Sequence, residues 1–146
     1  MKLSTKGRYG VRLMLELALC YGKGPVFLKD IAGRQEISEK YLWHLITPLK
    51  TAGLINSSRG AHGGYALAKP PSEINLKEII DVLEGSLSLV ECVENTSVCR
   101  RVQFCVTRDI WQEITDKITQ TLRAVTLKDM VDKQKAKHKS AFAYNI

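Results

Sequence analysis

The sequence predicts a mostly α-helical chain carrying one small β-hairpin, with a long amphipathic helix after it. Three observations predict this. Apolar residues recur at helical spacing in successive segments. One glycine-rich stretch, Leu54 to Ala68, breaks that period and reads as two short strands around a turn. From about Thr107, Ile110, Ile114, Ile118 and Leu122 then recur every four residues.

The first helix is expected over Tyr9 to Cys20, with Tyr9, Leu13, Leu17 and Cys20 on one face. Ser4 or Thr5 can cap it, and Tyr21-Gly22-Lys23-Gly24-Pro25 ends it. Cys20 falls on the apolar face and reads as a core residue. A short helix follows, with Leu28, Ile31 and Ala32 inward. Ser38 is placed to cap the next helix, which turns Tyr41, Leu42, Leu45, Ile46 and Leu49 inward. Gly53 stands where a left-handed cap is wanted. Pro48 lies inside this pattern and removes one backbone hydrogen bond, so a kinked helix is expected there.

Two short helices joined by a brief turn, with small Ala32 at their approach, follow helix-turn-helix grammar. The second presents Glu39, Lys40, Trp43, His44, Thr47 and Lys50 outward. Most of these side chains can hydrogen-bond to bases or phosphates. The hairpin behind it holds Arg59 and the glycines Gly60, Gly63 and Gly64. Glycine allows close backbone approach to another molecule, and an arginine beside such a loop suits a narrow, electronegative minor groove. A hairpin in this place is a wing.

Pro70-Pro71 closes the module, and Ile74 to Glu84 reads as a connecting helix. The long helix from Thr107, about eighteen residues or roughly 27 Å, carries too wide an apolar stripe for so small a module. It is expected to be a dimer helix. Thr126 can cap a last helix, and the tail is expected to fray. The domain reading is therefore a winged helix-turn-helix DNA-binding module at 1–71, a connecting helix and linker at 72–91, a cysteine loop at 92–106, dimerisation and terminal helices at 107–137, and a flexible tail at 138–146.

Charge supports this division. The net charge is +7 over 146 residues. Residues 1–70 hold eleven Lys/Arg and four acids, whereas 71–146 hold eleven of each, so the whole excess lies in the first half. A basic half favours a polyanionic partner, because phosphate contacts release condensed counterions. No run of about 18 apolar residues exists to span a membrane, and the N-terminus lacks a secretory pattern. The expected location is the cytoplasm, where thiols stay reduced and a cysteine cluster points to metal or redox chemistry.

Three of the four cysteines fall between Cys92 and Cys105, spaced Cys-x6-Cys-x5-Cys. This is too open for a zinc knuckle, and three thiols leave one unpaired. The three histidines, His44, His62 and His138, lie on a helix, a wing and a tail. No nucleotide fingerprint, Cys-x-x-Cys motif or catalytic set is present, which argues against a redox enzyme or cluster carrier.

The ordered set Ser38-x-x-Tyr41-Leu42, Ala52-Gly53-Leu54, Arg59-Gly60-x-x-Gly63-Gly64-Tyr65, the three-cysteine loop and a long helix with Trp111 closely resembles the bacterial winged-helix regulators of the IscR family. The resemblance runs from Met1 to about residue 135. It implies a homodimer that binds double-stranded operator DNA. It also implies an iron–sulphur cluster, [2Fe-2S] in IscR itself, held by Cys92, Cys99 and Cys105. Candidate DNA contacts are Ser4, Thr5, Ser38, Lys40, Tyr41, Trp43, His44, Arg59, Gly60, Gly63 and Gly64.

Three positions depart from the family pattern. Arg108 stands where a histidine ligand is expected. Arg8 and Arg12 stand where some relatives carry an acid or histidine, and Trp43 replaces a glutamate. The fourth ligand is unknown; Asp109, Glu91, Glu94, His44 or an external thiol are candidates. The alternative is a cluster-free repressor of the same fold that responds to thiol chemistry or to a protein partner. Arg100, Arg101 and Arg108 beside the cysteines can lower thiol pKa values in that case. Bound zinc is a third reading.

Overall fold

A computed structural model describes residues 2–144. Helix α1 (Thr5–Leu19) starts a turn earlier than the apolar period suggests, because Ser4 caps it by accepting from the Gly7 N–H. Helices α2 (Leu28–Gln35) and α3 (Glu39–Thr51) follow. Ser38 caps α3 through the Tyr41 N–H. Helix α3 runs unbroken through Pro48 to Thr51. His44, whose carbonyl loses its helical donor to the proline, lies on the exposed side, while Leu45, Ile46 and Leu49 anchor the other side in the core.

Strands β1 (Ile55–Ser58) and β2 (Gly64–Leu67) pair antiparallel, from Ile55 opposite Leu67 to Ser58 opposite Gly64. Val26 adds a bridge to Tyr65 on the outer edge, so the chain before α2 is stitched to the wing. The connecting helix α4 (Leu76–Leu83) is shorter than expected from the apolar run. Its start is set by a capping box in which Asn75 and Glu78 each accept from the other's backbone N–H.

The core is shared by α1, α3 and α4, with Leu13, Leu17, Leu42, Leu49 and Ile79 at its centre. Buried Glu16 ties α1 to α2, accepting from Gln35 at 2.8 Å and pairing with Arg34 at 3.3 Å. Cys20 sits half-buried at the core's edge, its sulphur 3.6 Å from the Arg34 guanidinium.

The expected irregular cysteine loop contains a short helical turn, α5 (Glu91–Glu94), and a 3-10 turn at Thr96–Val98. Helix α6 (Val106–Ala124) follows, and α7 (Leu127–Tyr144) returns to the core through Leu127 and Val131. The described part of the segment from 138, expected to be a flexible tail, is helical through Tyr144. Lys, Gln and Ala from Lys133 to Ala143 are good helix formers, so the helix extends beyond the residues that pack. Asn145 and Ile146 lie outside the described residues.

Candidate nucleic-acid interface and cysteine loop

The outward face of α3 carries Lys40, Trp43 and His44, all exposed. Trp43 is 56 % exposed and packs into no core. An indole left in water on a capped, well-anchored helix is an unsatisfied surface. Ser38 spends its hydroxyl on the Tyr41 N–H at 3.1 Å, so its cap role fixes the first turn of the helix.

Tyr41 is half-buried against the core. Its ring meets the Tyr9 ring edge-on, with centroids 5.8 Å apart. Arg8 and Arg12 lie over the Tyr9 ring at 5.7 and 5.1 Å. Arg12 also donates to the side chain of Gln35 at 2.9 Å and to its backbone carbonyl. This cluster sets α3 against α1, and no signal in the sequence identified it.

Arg59 and Gly60 are exposed at the tip of the wing, with Gly60 at φ 102. Gly63 and Gly64 are placed differently. A Cβ on Gly63 would overlap the carbonyl of Ser58, and one on Gly64 the carbonyl of Val26. These two glycines shape the wing by letting backbone meet backbone, while Arg59 and Gly60 form its surface. Ser4 and Thr5 open α1 and are exposed.

The cysteine loop lies between this module and α6. Cys99 is exposed, and Cys92 and Cys105 are half-buried. No three His, Cys, Asp or Glu side chains among the described residues are gathered as a metal site. In this arrangement the three thiols are not converged on one point, as a cluster held by all three would require. Arg108, at the expected histidine position, donates to the Cys92 carbonyl at 3.0 Å. It braces the loop and offers no ligand atom. Thr107 lies 3.1 Å from the Cys105 sulphur. That hydrogen bond, with help from the Arg108 backbone N–H and the charge of Arg101, holds the Cys105 thiol below its ordinary pKa.

Helix α6 buries none of its residues in the single chain. Ile110, Trp111 and Ile114 are exposed along one face. Further along, Ile118 and Leu122 line a cavity of about 410 Å³ with Val11, Leu76, Ile80 and Leu87. Among the described residues no helix is long and apolar enough to cross a membrane.

Comparison with known proteins agrees with this architecture. The model of the Rrf2 family, described as an iron-dependent transcriptional regulator, matches residues 3–133. The regulator CymR of Bacillus subtilis is 45% identical over 130 residues, covering 89% of each chain. IscR of Photorhabdus laumondii is 40% identical over 134 residues, covering 92% of this chain and 81% of its own. The solved structure of the Bacillus subtilis CymR, called its global cysteine regulator, superposes with a TM-score of 0.78 at 43% identity, covering 91% of this chain and 98% of that one. The oxidised form of Staphylococcus aureus CymR superposes at 0.71 and 40% identity, covering 90% and 96%. These relatives are transcriptional regulators, so the chain is a regulator and not an enzyme. The helix pair, the wing and the residue-by-residue match over most of its length together show that this chain belongs to the Rrf2 family of transcriptional regulators.

Proposed function

We propose that the chain acts in the cytoplasm as a homodimer that binds double-stranded operator DNA, with affinity set by the chemical state of Cys92, Cys99 and Cys105. In this reading α3 enters a major groove through Lys40, Tyr41, Trp43 and His44, with Ser38 holding its first turn. Arg59 reaches the adjacent minor groove. Ser4 and Thr5 meet the phosphate backbone at the start of α1. Two copies join along the exposed apolar face of α6.

The observation that carries the regulatory part is the place of the loop. It joins α4, which packs in the core of the reading module, to the apolar helix α6, and its Cys105 thiol is held toward the reactive thiolate. A covalent change at these thiols would then alter how two reading modules are spaced, and half-site spacing decides binding. The oxidised form of the Staphylococcus aureus relative agrees with direct thiol chemistry.

A second reading is an iron–sulphur cluster. It is favoured by three soft thiolates within one loop and by the iron dependence in the family's description. It requires the loop to refold so that the thiols converge.

One experiment separates the two. The protein is purified without oxygen, incubated with iron and sulphide, and its visible spectrum recorded. Promoter DNA is then titrated before and after treatment with N-ethylmaleimide. Colourless protein whose affinity changes on alkylation supports direct thiol sensing, and visible absorption with matching iron and sulphide counts supports the cluster. Colourless protein with unchanged affinity overturns both.

A further inference from the structure

We propose that Glu84 is a positioning residue that transmits the state of the cysteine loop to the recognition helix. The proposal rests on the reading that the loop sets DNA affinity. Glu84 directly follows α4, and Gly85, at φ 76, turns the chain away toward Cys92. The Glu84 carboxylate reaches back to the start of the chain. One oxygen accepts from the N–H of Ser4 at 3.0 Å, from the N–H of Gly7 at 3.1 Å, and from the Ser4 hydroxyl.

Helix α1 has no acidic residue in its own first turn. The N-terminal end of a helix carries unsatisfied donors and a partial positive charge. Glu84 supplies the missing anion from 80 residues away. The approach is close by construction. A Cβ on Gly7 would overlap the Glu84 carboxylate, and one on Gly10 would overlap the Leu83 side chain. Two glycines three residues apart thus make a notch on α1 that receives the end of α4.

Both ends of this contact lead to the functional parts. On the loop side, Leu87 lies three residues past Glu84 and lines the same cavity as Ile118 and Leu122 of α6. A change in the loop or in the setting of α6 therefore pulls on the segment that carries Glu84. On the DNA side, α1 carries Tyr9, which meets Tyr41 on α3. Ser4, a candidate phosphate contact, is itself the group Glu84 binds. The notch makes the contact close, since at Gly7 and Gly10 the Glu84 and Leu83 side chains reach the α1 backbone with no α1 side chain between.

The test uses the full chain in a Cys20→Ala background, so that only loop thiols react with N-ethylmaleimide. Two quantities are read before and after alkylation: affinity for promoter DNA, and amide hydrogen exchange in the first turn of α1. Without further change, alkylation is expected to alter both severalfold. In Glu84→Ala the ratio of modified to unmodified values should collapse to about one for both. Glu84→Gln keeps an acceptor oxygen and should retain part of the response, which a loss of folding alone would not produce. Exchange that responds in Glu84→Ala as it does without that substitution overturns the proposal. So does exchange that fails to respond at all when Glu84 is present. If exchange responds through Glu84 but DNA affinity does not, the transmission stands and the regulatory reading of the loop falls.

Discussion

Tyr9 on α1 and Tyr41 on α3 meet edge-on, their ring planes at 87° and their centroids 5.8 Å apart. Two arginines lie over the Tyr9 ring. This contact fixes the angle at which the outward face of α3 is presented. Edge-to-face pairs contribute about 0.5–1.5 kcal/mol beyond the area they bury. Tyr9→Leu should lower unfolding stability by about 1 kcal/mol and weaken DNA binding by more than stability alone requires. Urea unfolding and mobility-shift titration of the same preparation check this. A variant that loses stability but binds DNA as before would show that the pair supports the fold only.

Cys105 and Thr107 make a prediction about reactivity. The Thr107 hydroxyl, first, and the Arg108 backbone N–H, second, hold the Cys105 thiol below its ordinary pKa. A lowered pKa gives more thiolate at a given pH, so Cys105 should be alkylated faster than Cys99 near neutral pH. Its rate profile should rise at lower pH. Thr107→Val removes the hydroxyl and should move that profile back up. Peptide mass spectrometry of timed alkylation reads both thiols in one sample.

The wing predicts a change in salt dependence. Arg59 is exposed beside the turn glycine Gly60. If its guanidinium displaces a counterion on binding, Arg59→Ala should weaken DNA binding and reduce the slope of log affinity against log salt by about 1. An unchanged slope at several salt concentrations would remove the wing arginine from the interface.

Helix α6 predicts assembly. Ile110, Trp111 and Ile114 form an exposed apolar stripe on a helix with no buried residue. Ile114→Asp places a charge in the middle of that stripe, where a second copy would have to desolvate it. Sedimentation should show a dimer for the unsubstituted chain and a monomer for the variant, with the helical signal little changed.

The start of α7 predicts an acid-sensitive anchor. Asp129 accepts from the Thr126 N–H at 2.9 Å, and the Thr126 hydroxyl accepts from the Asp129 N–H at 3.1 Å. The Thr126 backbone donor, then its side chain, lower the Asp129 pKa. A carboxyl with a depressed folded pKa contributes stability that is present above its unfolded value, about 4. That contribution is lost as pH falls through the lower folded value. Asp129→Asn should remove this part of the acid dependence. Thr126→Ala should cost about 1 kcal/mol near neutral pH. Thermal unfolding across an acid series measures both.

What was legible in the sequence was local. Ser38 before its apolar run, Gly53 after it, and the paired strands around Arg59 each carry a signal within a few residues, and each takes its expected place. The Asn75–Glu78 capping box was equally local; its Asn-x-x-Glu spacing could have set the start of α4, and the apolar run hid it. The Glu84 contact was not legible. Gly7 and Gly10 look like poor helix residues until the end of α4, more than seventy residues on, is placed against them. The Tyr9–Tyr41 pair is hidden for the same reason, since both tyrosines also fit their own helical periods. The departure at Arg108 was visible, but its use was not. A guanidinium that cannot bind metal braces the Cys92 carbonyl instead.

The cysteine loop is expected to set DNA affinity. The most direct measurement is the affinity for promoter DNA of one oxygen-free preparation, titrated with all thiols free and again after the loop thiols are alkylated. Affinity should change tenfold or more, equivalent to about 1.4 kcal/mol, and the change should disappear when Cys92, Cys99 and Cys105 are all replaced by serine. Equal affinity before and after alkylation, with DNA still bound, would contradict it.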